Sequence, residues 1–134
     1  LWAYEGLTNY LGWVLTARAG IITAADARDD LAGVAERMKN ARGRAWRPLE
    51  DTGTSSHVLA GSRGAWGAWR RSLDYYDEGT LLWLEVDAVI RKETNGAKSL
   101  DDFCRAFFAC PPGKPAVKGY TFDDLVAGLN AVCK

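Results

Sequence analysis

The chain has 134 residues, 48% of them apolar and 25% charged, which suits a soluble globular domain with a core of its own. Its 17 basic and 17 acidic side chains cancel, so the charge balance gives no reason to expect nucleic acid or an anionic membrane as a partner. No apolar run approaches the roughly 18 residues that a membrane span needs.

The first residues, Leu1-Trp2-Ala3-Tyr4, are not a translation start, a signal peptide or a tag. They already belong to a helical pattern, so the expectation is a piece of a longer protein. A first helix is predicted from about Trp2 to Ala19, with Leu7, Tyr10, Leu11, Val14 and Leu15 at helical apolar spacing. Glu5, Thr8, Asn9, Gly12 and Thr16 form a narrow polar stripe along it, flanked by Trp2 and Trp13. A helix this apolar on its flanks is mostly buried. Glu5 is therefore expected in a sheltered space, where a carboxylate must be paired, protonated or bound to a metal.

A second helix opens on a capping box, Thr23 with Asp26, and buries Ala27, Leu31, Val34, Ala35 and Met38. Gly43 is its expected stop. Residues 44 to 72 read as irregular, broken by Pro48 and several glycines. Trp46, Trp66 and Trp69 in this stretch are expected to pack down on the domain. A third helix is predicted from about Tyr75 to Thr94, capped by Ser72 or Asp74 and ended by Asn95-Gly96, with Leu82, Val86, Val89 and Ile90 on its core face. Two further helices start at capping boxes, Ser99 with Asp102 and Thr121 with Asp124, on either side of a proline-rich segment at 111–115. No strand is predicted. The expected fold is all-α, a bundle of about five helices forming one helical (sub)domain over residues 1–134.

The three cysteines, Cys104, Cys110 and Cys133, make no CxxC pair, so a cysteine-rich zinc site is not indicated. A bridge between Cys110 and Cys133 is sterically allowed; idle thiols are the plainer expectation. Periplasmic, secreted and cytoplasmic settings all fit this usage.

Two segments carry candidate chemistry: Trp2-Ala3-Tyr4-Glu5-Gly6-Leu7-Thr8-Asn9 and Tyr75-Tyr76-Asp77-Glu78-Gly79-Thr80-Leu81-Leu82. Taken singly, each has a structural explanation. Glu5 serves as a first-turn acid that complements the helix dipole, and Tyr76 as a packing aromatic. Taken together, they resemble the gluzincin metallopeptidases, in which a glutamate-glycine helix follows an HExxH helix and a tyrosine opens a later one. The wording of these segments, with Lys98-Ser99-Leu100-Asp101-Asp102-Phe103 and Tyr120-Thr121-Phe122-Asp123-Asp124-Leu125, resembles the M61 glycyl aminopeptidase family.

The resemblance implies the C-terminal helical subdomain of a thermolysin-like, gluzincin catalytic domain, with a PDZ domain downstream. It implies zinc as cofactor, Glu5 as the third protein ligand and Tyr76 as the donor to the oxyanion. It also implies a peptide substrate with a small N-terminal residue such as glycine or alanine. Asn9, one turn after Glu5, is a candidate to orient a ligand imidazole. No HExxH occurs, and the only histidine, His57, sits in a loop context and is not promoted to a ligand. The remaining ligands and the general base are thus expected upstream, and this chain alone is expected to lack activity and tight zinc binding. The alternative is a non-catalytic helical interaction module or an inactive homologue. Nucleic-acid binding through Arg42, Arg44, Arg47, Arg70 and Arg71 is disfavoured, because the arginines form no regular stripe. Self-association is expected if a face that packs on the rest of the catalytic domain is left open.

Overall fold

A computed structural model describes residues 1–61, 66–110 and 113–133. The described residues are all-helical, with no strand. Their contacts divide the chain into two compact units, Leu1–Leu84 and Glu85–Lys134, and the boundary falls inside one long helix.

In the first unit, α1 (Trp2–Arg18) buries Ala3, Gly6, Leu7 and Tyr10. Helix α2 (Ala24–Asn40) packs on it through Ala27, Val34 and Met38. The Thr23–Asp26 box forms as expected: the Asp26 amide donates to the Thr23 hydroxyl at 3.1 Å, and the Thr23 amide donates to the Asp26 carboxylate at 2.9 Å. Gly43 is not the stop of α2. The helix ends at Asn40, and Gly43 lies within a 3-10 turn, Arg42–Ala45. A Cβ at Gly43 would stand 2.6 Å from Cγ of Arg71 and 2.7 Å from the Trp69 carbonyl oxygen, so glycine is there for close approach.

The stretch read as irregular holds three short helices, α3 (Leu49–Thr54), α4 (Ser56–Gly61) and α5 (Gly67–Arg70). Pro48 breaks nothing. It precedes the first helical residue of α3 at φ −67°, where the missing N–H costs no helical bond. Helix α3 lies against α1 and buries Thr52 completely. The tryptophans do not pack down: Trp46, Trp66 and Trp69 are 60%, 73% and 48% exposed. Two of them make polar contacts instead. The Trp46 indole donates to the Trp69 carbonyl at 2.8 Å, and the Arg42 guanidinium sits 5.6 Å from the Trp69 ring centroid. His57 lies in α4, in a helix where a loop was expected, and is exposed.

Helix α6 (Tyr75–Glu93) starts in the first unit and ends in the second. Tyr75, Gly79, Thr80 and Trp83 are its buried residues in the first unit. Leu82, expected in the core, is 36% exposed, and Val89 further along is 47% exposed. Helix α6 has apolar residues on every side, so periodicity could not single out the face that packs. Asn95 and Gly96 end it with φ of 51° and 79°.

In the second unit, α7 (Leu100–Phe107) and α8 (Phe122–Cys133) pack around Phe103, Phe107, Leu125 and Val132. Both predicted capping boxes form. The buried Asp87 carboxylate on α6 accepts from the Leu100 amide at 2.7 Å, placing a negative charge at the positive end of α7. Lys98 donates to the Val132 carbonyl at 2.9 Å, the matching contact at the negative end of α8. All three cysteines are free. Burial pushes the Cys104 thiol up to about 11, with the acids Asp101 and Asp87 adding to the effect, so it is a poor nucleophile. No helix among the described residues is long and apolar enough to cross a membrane.

Candidate functional site

Helices α1 and α6 cross in the first unit with backbone touching backbone. A Cβ at Gly6 would fall 2.5 Å from both Cα and the carbonyl carbon of Gly79. A Cβ at Gly79 would fall 2.9 Å from Gly6 Cα and 2.9 Å from the Trp2 carbonyl oxygen. Each glycine is therefore required by the other. One turn along, the Trp83 indole donates to the Ala3 carbonyl at 2.8 Å, in a buried bond that fixes the register of the two helices. Early residues of α1 meet late residues of this part of α6, so the pair runs antiparallel.

This crossing sets the residue before Gly6 and the residue three before Gly79 side by side. Those residues are Glu5 and Tyr76. Both are half-buried. The Tyr76 hydroxyl is pushed up to about 12, first by its hydrogen bond with Tyr75, then by burial and by the charge of Tyr75, and last by the charge of Glu5 and hydrogen bonding to it. A phenol in this environment stays protonated at neutral pH and is a donor. Tyr75 is buried and stacks on Tyr76, with ring centroids 4.6 Å apart.

The acids near the crossing divide into two kinds. Asp77 pairs with Arg37 of α2, which donates through Nε at 3.0 Å and through its terminal nitrogen at 3.3 Å. Glu78 takes one bond from Arg44 at 3.0 Å and another from Arg71. Asp74 accepts from Arg71 at 2.8 Å and from the Ser72 amide at 3.0 Å. Glu5 alone of these four has no cationic partner among the described residues. A sheltered carboxylate needs a partner, and that of Glu5 is the Tyr76 hydroxyl.

Asn9 lies one turn after Glu5. It lines an open groove of about 360 Å³ with Trp13 and Thr16 of α1, Arg37 of α2, and Asp77 and Thr80 of α6. The polar stripe foreseen on α1 thus borders a cavity. Glu5 and Tyr76 are not among the lining residues of that groove; they stand one turn before Asn9 and Thr80 on their helices.

Nothing in the sequence foretells the burial of Arg71, one of five arginines that form no regular stripe. It is 2% exposed and holds Asp74, Glu78 and, at 2.6 Å, the Arg47 carbonyl. Its backbone has φ 54° and ψ 142°, a conformation that costs a non-glycine residue on the order of 1–3 kcal/mol. No local pattern announces it, because Arg71 precedes α6 and helical spacing does not apply. The Gly6–Gly79 contact did leave a signal: each glycine follows a glutamate, in Glu5-Gly6 and Glu78-Gly79.

Among the described residues, no group of three or more histidines, cysteines or acids is gathered for a metal. What the chain brings together is a carboxylate with no cationic partner among the described residues and a phenol donor, on two helices locked by a glycine contact. No curated protein matches the chain. A family model does, over residues 1–82, which spans α1, the whole arginine network and the first half of α6. On that match the chain belongs to the M61 glycyl aminopeptidase family, a family of peptidases.

Proposed function

We propose that these helices form part of the catalytic domain of a zinc-dependent aminopeptidase that releases small N-terminal residues such as glycine or alanine. In this reading Glu5 is the third protein ligand of the zinc, and Tyr76 donates to the oxygen of the scissile carbonyl as negative charge develops on it. The observation that carries the reading is the Gly6–Gly79 crossing, which sets beside a phenol an acid that has no cationic partner among the described residues.

The residues present fit a share of a zinc site. Catalytic zinc takes three protein ligands and keeps a position open for water, and Glu5 suits one of the three. The two imidazole ligands and the general base belong to an HExxH helix supplied from outside these residues. Zinc, when bound, polarises the substrate carbonyl and lowers the pKa of the attacking water. The chain's own part is to hold the Glu5 carboxylate at a set place and to aim the Tyr76 hydroxyl where charge appears. Asn9, on the same stripe as Glu5, would orient a ligand imidazole.

The test separates the two neighbouring tyrosines in the full-length protein. Tyr76→Phe removes one hydroxyl and is expected to lower kcat by about 10²–10³-fold, the range for one oxyanion donor, with zinc content unchanged. Tyr75→Phe should stay within a few-fold of the parent. A crippled Tyr75→Phe, or an unaffected Tyr76→Phe, would reject Tyr76 as the donor.

A further inference from the structure

The first turn of a helix is the part that frays, because its amides lack partners within the helix. Tyr76 stands in that turn of α6. The side chain best placed to cap it, Asp74, is turned backward, onto the Ser72 amide and Arg71. The Tyr76 amide donates to the Leu73 carbonyl at 3.1 Å, and further contacts secure the turn from outside. Glu78 is gripped by Arg71 and Arg44, Asp77 by Arg37, and Gly79 lies on Gly6.

Arg71 is the hub. It reaches residues on both sides of Tyr76, Asp74 before it and Glu78 after it, and anchors both to the Arg47 carbonyl. Gly43 makes room for its stem. A buried ion pair is a poor device for stability, because apolar packing of the same volume does as well or better. Here the cation is buried, its backbone is strained, and a glycine is committed to admit it. That outlay is explained by geometry: a planar fork fixes the directions of several acceptors at once, as a flexible ammonium does not.

We propose that Arg71 is a positioning residue for Tyr76, acting through Asp74 and Glu78 to hold the first turn of α6 so that the tyrosine hydroxyl meets Glu5. The proposal rests on the reading of Tyr76 as the transition-state donor. The side-chain bonds of Arg71 go to Asp74, Glu78 and the Arg47 carbonyl, not to Glu5. Sites of this kind need their groups held within about 0.5 Å, which makes the supporting contacts as consequential as the donor.

Two variants test it, since Arg71→Ala alone could fail to fold. Arg71→Lys keeps the charge and loses the fork. Glu78→Gln keeps the shape and loses the charge. In the full-length enzyme both should lower kcat by about tenfold while KM and zinc content stay within twofold of the parent. In the 134-residue chain, both should weaken the nuclear Overhauser contacts between the Tyr76 ring and Glu5, while the Trp83 indole remains protected from exchange by its bond to Ala3. A lower melting temperature with kcat and the Tyr76–Glu5 contacts unchanged would make Arg71 merely structural and overturn the proposal. Should Tyr76→Phe leave kcat intact, the proposed chemistry fails, and the Overhauser contacts still decide whether Arg71 positions the tyrosine.

Discussion

The two units each use a glycine to bring helices together, and the two contacts differ in kind. In the first unit Gly6 and Gly79 put backbone on backbone, with no side chain between to absorb an error. In the second, Gly128 of α8 faces ring edges, Phe107 at 2.8 Å and Phe103 at 3.1 Å from where a Cβ would stand. Those rings belong to an aromatic seam, Phe103, Phe107, Phe108 and Tyr120, with centroids 5.0 to 6.4 Å apart, and rings can tilt. A rigid contact suits a place where two side chains must be held in a fixed relation. An adjustable one suits a place that only has to be filled.

The sharpest way to break the contrast is Gly6→Ala. Overpacking costs about 1–3 kcal/mol, and a backbone neighbour cannot step aside. Alanine's better helix propensity returns about 1 kcal/mol. The net loss should approach about 2 kcal/mol, read as a fall in melting temperature of roughly 5–10 °C. Gly79→Ala should cost about the same, and the double variant no more than slightly above either, because both break one contact.

In the second unit, Asp87→Asn should cost about 1–2 kcal/mol. It removes the charge from the buried bond to the Leu100 amide and weakens the start of α7. Gly128→Ala should fall within about 1 kcal/mol of the parent, since propensity gained offsets the ring shift. A Gly128→Ala chain as destabilised as Gly6→Ala would erase the distinction between the two seams.

The smallest effect concerns the capping acids. Asp26, Asp102 and Asp124 are each held below the usual carboxylate range, chiefly by hydrogen bonds with Thr23, Ser99 and Thr121. A depressed folded pKa contributes stability that is present above the unfolded value, near 4, and is lost as pH falls through the folded one. Helical circular dichroism should therefore weaken below about pH 4. Replacing the three capping residues Thr23, Ser99 and Thr121 by alanine should flatten that dependence.

These caps were legible in the sequence because a capping box is written within four residues. The helix ends at Asn95-Gly96 were legible for the same reason. What lay beyond local spacing was not. Trp46, Trp66 and Trp69 are expected to pack because aromatics are usually buried; the structure leaves them exposed, with the Trp46 indole bonded to the Trp69 carbonyl, and buries Arg71. Of the residues expected on the core face of α6, Ile90 is buried while Leu82 and Val89 are exposed, and Gly79, Thr80 and Trp83 face inward, where α1 approaches closely. Glu5 and Tyr76 could be named from their motif. That Glu5 is the acid without an arginine could be seen only once Asp74, Asp77 and Glu78 were found in pairs.

That distinction between acids with and without an arginine partner carries the proposed role of Glu5, and zinc content measures it most directly. In the full-length protein, Glu5→Ala should lose most of its zinc when dialysed against a weak chelator, while Asp77→Asn and Glu78→Gln keep theirs. Zinc retained at the parent level by Glu5→Ala, or lost equally by all three variants, would contradict the assignment of Glu5 as a metal ligand.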